Sequence, residues 1–387
     1  MADRARDLRW LDLALALGRR GLGRVWPNPA VGCVIVQTGL SQDRIVGRGW
    51  TQPGGRPHAE AMALAQAGDR ARGATAYVSL EPCAHHGRTP PCADALAKAG
   101  IARLVSTIVD PDPRVAGRGF QRLAEAGVPV QIGQRVVEAE ALNAGFLNRL
   151  RGGRPFVTLK LATTVDGRIA TSQGESRWIS GSPARRFAHL LRVRHDAVLV
   201  GAGTARADDP MLDVRDLGLA AASPVRVLAD GGLRTPVSAR LVRSAARQPL
   251  WILHRDDAPP ERAAMLAEAG ATLIRCAADA EGRLDLADAM SAAAERGITR
   301  LLCEGGGRMA AALLKAHMVD RLVTVTAGRV IGADGIPGMG AIGLTRLADA
   351  PQFRLITQRR IGADLMADWA LEDRHPGETA DRAAEAS

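Results

Sequence analysis

Two α/β domains in series is the fold class this sequence predicts, and three observations predict it. The chain has 387 residues, and at roughly 100–200 residues per domain that allows two or three domains with substantial cores. Short apolar runs of strand length alternate with helical spacing through both halves, the rhythm of a layered α/β protein. Between the two series lies Arg151-Gly-Gly-Arg-Pro155, a Gly-rich stretch ending in a proline that resists continuing a helix. The spacing therefore predicts one domain over residues 1–150, a second over 151–375, and a disordered tail over 376–387.

In chain order, Leu8–Leu17 reads as an amphipathic helix interrupted by Asp12. The loop Trp26-Pro-Asn-Pro-Ala30 leads into a strand, Val31–Val36, and Ile45–Gly49 forms a hairpin with it. Helical spacing runs from Ala59 to Gly68, followed by a strand over Ala76–Leu80 and a Pro/His/Cys-rich loop over Glu81–Pro91. A helix (Ala93–Ala99), a strand (Arg103–Val109), a helix (Phe120–Ala126), a strand (Val128–Ile132) and a helix (Val136–Leu150) complete the first series. The second series has strands at Phe156–Thr163, Ala197–Gly201, Val225–Ala229, Leu250–Leu253, Thr272–Ile274, Arg300–Glu304 and Leu322–Val325, and a pair near Phe353–Thr357 and Asp364–Trp369. No internal repeat is evident.

Composition narrows the function classes. Hydrophobic residues make up 47% and charged residues 24%, ordinary values that argue against disorder throughout. The net charge of +10 invites a nucleic-acid reading, yet it is spread evenly. Residues 1–150 carry 19 basic against 13 acidic side chains, and the remainder 32 against 28, with no block of like charge. Aromatics at 3% leave few platforms for stacking bases. Small anionic substrates fit the charge better, and neither a nucleic-acid nor a membrane partner is expected. Only Lys98, Lys160 and Lys315 are lysines among 51 basic residues, so each draws notice. There is no run of about 18 apolar residues that would span a bilayer and nothing resembling a signal peptide. Five cysteines without export signals favour metal or catalytic roles over a disulfide framework, in a cytoplasmic protein.

The chemistry concentrates in His58-Ala-Glu60, Pro82-Cys83 and Pro91-Cys92. One His and two Cys supply the three protein ligands of a catalytic zinc, leaving a fourth position for water. Two of them stand at helix starts, where free N–H groups favour thiolate. Zinc lowers the pKa of bound water from roughly 16 to about 7. Glu60, two residues from His58, can face that water as a proton shuttle without ligating. A structural zinc closed by a fourth ligand from His85-His86 is the alternative, and a lone His or Cys is ordinarily a packing residue. The pattern His-x-Glu with Pro-Cys…Cys is that of zinc deaminases acting on nucleobases. It departs in one respect: eight residues separate the cysteines here, where two are usual.

At this point the sequence resembles the bifunctional riboflavin-biosynthesis deaminase–reductase family. The resemblance rests on Asn28-Pro-Ala-Val-Gly-Cys33, His58-Ala-Glu60, Glu81-Pro-Cys-Ala-His-His-Gly-Arg-Thr-Pro-Pro-Cys92 and Asp110-Pro-Asp-Pro-Arg-Val-Ala-Gly-Arg-Gly119. It implies a cytidine-deaminase-like α/β/α zinc domain with one zinc on His58, Cys83 and Cys92 and Glu60 as proton donor. It further implies a diaminopyrimidinone substrate carrying a ribosylamino phosphate. Asn28 would bond the ribose or base edge, and His86, Arg88 and Thr89 the ring and phosphate.

In the second half a Rossmann fingerprint is missing, because Gly201-Ala-Gly-Thr-Ala-Arg206 carries Arg206 at the third glycine position. Polar or glycine-rich loops instead follow strands at Thr163–Arg168, Gly201–Pro210 and Glu304–Arg308. The Gly305–Gly307 run before a helix can offer N–H groups to a phosphate, though a plain tight loop reads as well. Lys160–Arg168, Gly174–Ile179, Ala207–Leu212 and Glu304–Gly307 resemble the family's reductase half, which implies a dihydrofolate-reductase-like fold and NADPH. By that resemblance the cofactor meets Ala162, Trp178, Thr204, Asp208, Gly306 and Gly307, and the substrate meets Ser176, Arg192, Leu212, Arg215 and Glu304. Guanidinium forks suit a phosphate at Arg192 and Arg215. Gly231 stands where relatives carry Ser. Lys160 is a candidate proton donor or a salt-bridged residue, and Cys276 and Cys303 read as core thiols. A homo-oligomer, dimer or tetramer, is expected.

Overall fold

The structure, a computed structural model, describes residues 2–39, 42–85 and 90–372. It divides into two compact units: Met1–Phe156 with Val193–Asp196 and Met290–Arg300, and Val157–Arg192 with Ala197–Ala289 and Leu301–Ser387.

The first unit is built on a five-stranded sheet of β1 (Gly32–Gln37), β2 (Arg44–Trp50), β3 (Thr75–Val78), β4 (Arg103–Ser106) and β5 (Val130–Gln131), in the order β2-β1-β3-β4-β5. β1 pairs antiparallel with both β2 and β3, while β3, β4 and β5 are parallel. Successive side chains of a strand face opposite ways, and β1 shows the consequence. Val34 and Val36 pack with Trp10, Leu11, Ala14 and Leu17 of α1 (Ala2–Gly18) on one face. Cys33 and Ile35 pack on the other face, with Ala59, Ala63 and Ala67 of α2 (Ala59–Ala67), Leu96 of α3 (Cys92–Lys98) and Leu123 of α4 (Arg118–Glu125). Close approach is paid for in glycine: a Cβ on Gly32 would stand 1.9 Å from the Ala14 carbonyl oxygen, and one on Gly49 2.3 Å from that of Ala59.

Sequence and structure differ at two edges of this unit. The strand expected over Val128–Ile132 contracts to two residues, because Pro129 has no N–H for a ladder; its carbonyl still accepts the Leu104 N–H at 2.9 Å. The linker expected from Arg151 is shorter. α5 (Val136–Gly152) continues through it and stops at Gly153, whose φ of 63° is the left-handed cap glycine supplies readily. Thr299 and Arg300 pack beside α5, the Arg300 guanidinium donating to the carbonyls of Ala141 (2.7 Å) and Leu142 (2.9 Å).

The second unit carries a nine-stranded sheet in the order β11-β10-β9-β8-β12-β6-β13-β16-β15. Its elements are β6 (Phe156–Thr164), β7 (Arg168–Ala170), α6 (Ser182–Val193), β8 (Ala197–Gly201), α7 (Ala202–Asp208), β9 (Val225–Ala229), α8 (Arg240–Arg243), β10 (Leu250–Arg255), α9 (Pro260–Glu268), β11 (Thr272–Cys276), α10 (Leu286–Glu295), β12 (Arg300–Cys303), α11 (Gly307–Lys315), β13 (Arg321–Ala327), β14 (Ile336–Pro337), β15 (Phe353–Ile361) and β16 (Asp364–Leu371). The pairs β11/β10, β10/β9, β9/β8, β8/β12 and β6/β13 are parallel, and β13/β16 and β16/β15 antiparallel. Parallel strands covered on both faces are apolar throughout. β8 and β12 are accordingly buried at nearly every residue, whereas β13 alternates. β7 and β14, a two-strand ribbon, are too short for periodicity to reveal.

Candidate functional site

His58 is the N-cap of α2, with extended backbone, and Glu60 lies in the first turn. Cys92 opens α3, and its backbone N–H donates to Cys83 Sγ at 3.3 Å; the Ala93 N–H takes the Cys83 carbonyl at 3.2 Å. The start of α3 thus folds the Cys83 loop back beside it. His58 Nδ1 lies 3.5 Å from Cys83 Sγ and 3.3 Å from Cys92 Sγ, and the three donor atoms all fall within 4.8 Å of one another. Tetrahedral zinc bonds of about 2.1 Å to nitrogen and about 2.3 Å to sulfur separate N from S by about 3.6 Å. The donor set and spacing fit that ion. Among the described residues no fourth His, Cys, Asp or Glu joins the cluster.

The donor groups perturb one another electrostatically. The hydrogen bond with Cys92 brings the Cys83 thiol down to about 4, and the Cys92 thiol, its partner, rises. The same cluster raises His58, chiefly through Cys83. Burial pushes the Glu60 carboxyl up to about 7, with the Cys83 charge adding to it. Glu60 is 3% exposed and lines a 320 Å³ cavity with His58, Cys83, Asn28, Asp112 and Arg114. Asn28 is held there by its Nδ2, which donates to the Val25 carbonyl at 3.3 Å. His85 lines the same cavity with a buried Nδ1 that has no hydrogen-bond partner among the described residues. His86, Arg88 and Thr89 lie outside the described residues, as does the tail from Pro376.

In the second unit, Arg192 on α6 and Glu304 after β12 form a two-pronged ion pair, Nε–Oε1 at 2.6 Å and the second amino nitrogen–Oε2 at 2.9 Å. Lys160 on β6 is drawn into the same electrostatic neighbourhood: burial lowers its ammonium, Glu304 favours the charge and Arg192 opposes it. Arg192 also donates to the Asp213 carbonyl at 2.8 Å, and His189 Nδ1 accepts the Arg215 N–H at 3.3 Å, so α6 holds the 213–215 turn. Leu212 is buried; the Arg215 side chain is half exposed. Gly306 caps α11 and donates its N–H to Thr204 Oγ1 at 3.2 Å, joining two cofactor candidates from α7 and α11. Gly307 opens α11. Asp208 ends α7, and its carbonyl accepts from Arg177 at 2.8 Å. Trp178 is 60% exposed with Arg185 stacked 4.5 Å from its ring centroid. Ser176 and Ala162 are half-buried, the latter on β6. Where β8, β9 and β10 end, a 240 Å³ recess carries Arg206, Arg234 and Arg255 beside Gly231. Cys276 and Cys303 are core thiols, as read from sequence.

Three carboxylates organise these sites without having been singled out by residue type. Glu81 accepts backbone N–H groups from Asp110, Gly117 and Gly119. Asp166 accepts the Thr164 hydroxyl and the N–H groups of Ile331 and Gly332, which holds it near 2. Asp112 holds Arg114. All three fall inside quoted motifs, which was the available signal.

Fold and site together define a zinc-dependent deaminase domain joined to a reductase domain. Residues 4–108 match the cytidine and deoxycytidylate deaminase zinc-binding region, and residues 155–367 the RibD C-terminal domain. The chain is 42% identical over 370 residues to riboflavin biosynthesis protein RibD of Escherichia coli, covering 93% of this chain and 98% of that one. Among solved structures, Acinetobacter baumannii RibD superposes with a TM-score of 0.84 at 34% identity, covering 95% and 99% of the two chains. A Thermotoga maritima diaminohydroxyphosphoribosylaminopyrimidine deaminase/5-amino-6-(5-phosphoribosylamino)uracil reductase does so with 0.80 at 31%, covering 95% and 99%. The chain belongs to the RibD family, the bifunctional deaminase–reductases of riboflavin biosynthesis. Its first domain is the cytidine-deaminase-like one expected, its second is the RibD reductase domain, and its cofactors are zinc and NADPH. No described helix is long and apolar enough to cross a membrane.

Proposed function

We propose that residues 1–150 remove ammonia from 2,5-diamino-6-(5-phosphoribosylamino)pyrimidin-4-one, and that residues 151–375 reduce the ribosyl group of the resulting uracil to ribityl phosphate. One observation carries the first step: a three-donor cluster with a buried carboxylate on the same cavity wall. His58 Nδ1, Cys83 Sγ and Cys92 Sγ would hold the metal, which would supply the Lewis acidity that makes water a competent nucleophile near neutral pH. Glu60 takes a proton from that water and delivers it to the departing amine, a task suited to a carboxyl poised near 7. Asn28 orients the ribose or base edge.

NADPH supplies the hydride for the second step. Thr204 and Gly307 would offer hydroxyl and N–H groups to its phosphates, with Gly306, Ala162, Trp178 and Asp208 along its length. The guanidinium recess containing Arg206 suits the 2′-phosphate. Ser176, Leu212 and Arg215 border the substrate, the Arg192–Glu304 pair fixes its polar end, and Lys160 is the proton donor to the reduced oxygen. We further propose a cytoplasmic homo-oligomer that binds neither nucleic acid nor membrane. β15 supports self-association: among the described residues it pairs on one side only, and it exposes Leu355 and Ile356. Light scattering that returns a monomer would reject it.

Glu60→Gln tests the first step. The variant is expected to keep one zinc per chain and to lose ammonia release by at least about a hundredfold. A variant with full turnover would reduce the metal to a structural part.

A further inference from the structure

The stretch Asp110–Gly119 brings Asp112, Arg114 and Val115 to the deaminase cavity. From Asp110 to Gly117 it forms neither helix nor strand, so its backbone N–H groups need partners outside regular structure. Three of them converge on one carboxylate. Asp110 and Gly117 donate to Glu81 Oε2 at 3.1 and 2.9 Å, and Gly119 to Oε1 at 2.8 Å. Gly117 is the N-cap of α4 and Gly119 lies in its first turn, so Glu81 also caps that helix. Two more carboxylates extend the arrangement. Asp110 Oδ1 accepts the Asp112 N–H at 2.9 Å, and Asp112 accepts both the Arg114 N–H and its guanidinium, at 2.9 Å each. The direction of Arg114 therefore depends, link by link, on a residue 33 positions earlier.

Glu81 is 3% exposed and stands two residues before Cys83, so the same short segment carries a metal donor and anchors the cavity wall. Gly119 makes the contact intimate: a Cβ there would lie 1.9 Å from the Pro82 carbonyl oxygen and 3.2 Å from Glu81 Oε1. We infer that Glu81 is a positioning residue for deamination, fixing the Asp110–Gly119 wall, and through it Arg114, at a set distance from Glu60. This rests on the deaminase reading above.

Glu81→Gln in the full zinc-loaded chain sets an amide N–H₂ against an N–H donor. The KM for the diaminopyrimidine is expected to rise at least about tenfold with a smaller change in kcat. Zinc content and NADPH oxidation with the deaminated intermediate should stay unchanged. Gly119→Ala, which keeps the carboxylate but lifts the wall off Pro82, should move KM in the same direction. Amide hydrogen exchange at Asp110, Gly117 and Gly119 should accelerate in Glu81→Gln, a readout that needs no turnover. An unaltered KM or unaltered exchange in the zinc-loaded variant overturns the inference. Loss of zinc with the remaining holoenzyme's KM unchanged would also overturn it, assigning Glu81 to metal retention. Should the wild type release no ammonia, the deaminase reading fails, while the exchange measurement still decides whether Glu81 fixes the wall.

Discussion

Arg192 and Glu304 are 112 residues apart in sequence and mutually buried in the fold. Sequence reasoning assigned each to the substrate; the structure makes each the other's partner, which lets one pair present a fixed hydrogen-bonding edge. Removing one member of a buried pair leaves an uncompensated charge, at a cost of about 3–5 kcal/mol, whereas replacing both by apolar groups can be nearly neutral. Glu304→Gln is therefore expected to lower the melting temperature of the second unit and abolish NADPH oxidation. Arg192→Met with Glu304→Met should regain stability and not activity, and a double variant that still oxidises NADPH with substrate would deny the pair a part in the reaction. Asp110 offers a pH test. Burial raises its carboxyl to about 6, so the native state binds its proton more tightly than the unfolded chain. The penalty is nil at pH below the unfolded value, grows as pH rises from there towards 6, and is constant above it. Asp110→Asn keeps an acceptor for the Asp112 N–H without titrating. Denaturant midpoints should show its stability gaining on wild type between pH 4 and 7, by up to about 3 kcal/mol; a constant difference would contradict the assignment.

At the scale of elements, strands were legible where both faces are buried or where polarity alternates. Val225–Ala229 and Ala197–Gly201 are found at the bounds read from sequence. Boundaries slipped where a single residue decides, as at Pro129 and Gly153. The apolar face that docks α1 was legible in its amphipathic pattern, but its polar anchor Asp7, an acidic residue in an otherwise unremarkable helix, was not. Asp7 accepts the Tyr77 hydroxyl of β3 at 3.0 Å and both guanidinium nitrogens of Arg103 on β4, at 3.0 and 2.7 Å. Asp7→Ala strands a buried hydroxyl and a half-buried cation. Calorimetry should report a loss of about 2–4 kcal/mol for the first unit, with zinc still bound. A variant as stable as wild type would show the network to be neutral.

For the molecule as a whole, two chemistries on one chain can be separated by the metal. A chelator should stop ammonia release while leaving NADPH oxidation with the deaminated intermediate intact; loss of both activities together would mean the zinc supports the whole fold. The sequence by itself determined the family, the two chemistries and the residue types of the metal site, because those reside in short motifs whose spacing is local. Only the tertiary structure decided which carboxylates serve as anchors. Glu81, Asp166 and Asp7 act on groups from 29 to 166 residues away, and a hydrogen bond across such a gap has no sequence period. It also decided that Val193–Asp196 and Met290–Arg300 pack with the first unit, since which surfaces bury each other is a property of the folded chain and not of its order.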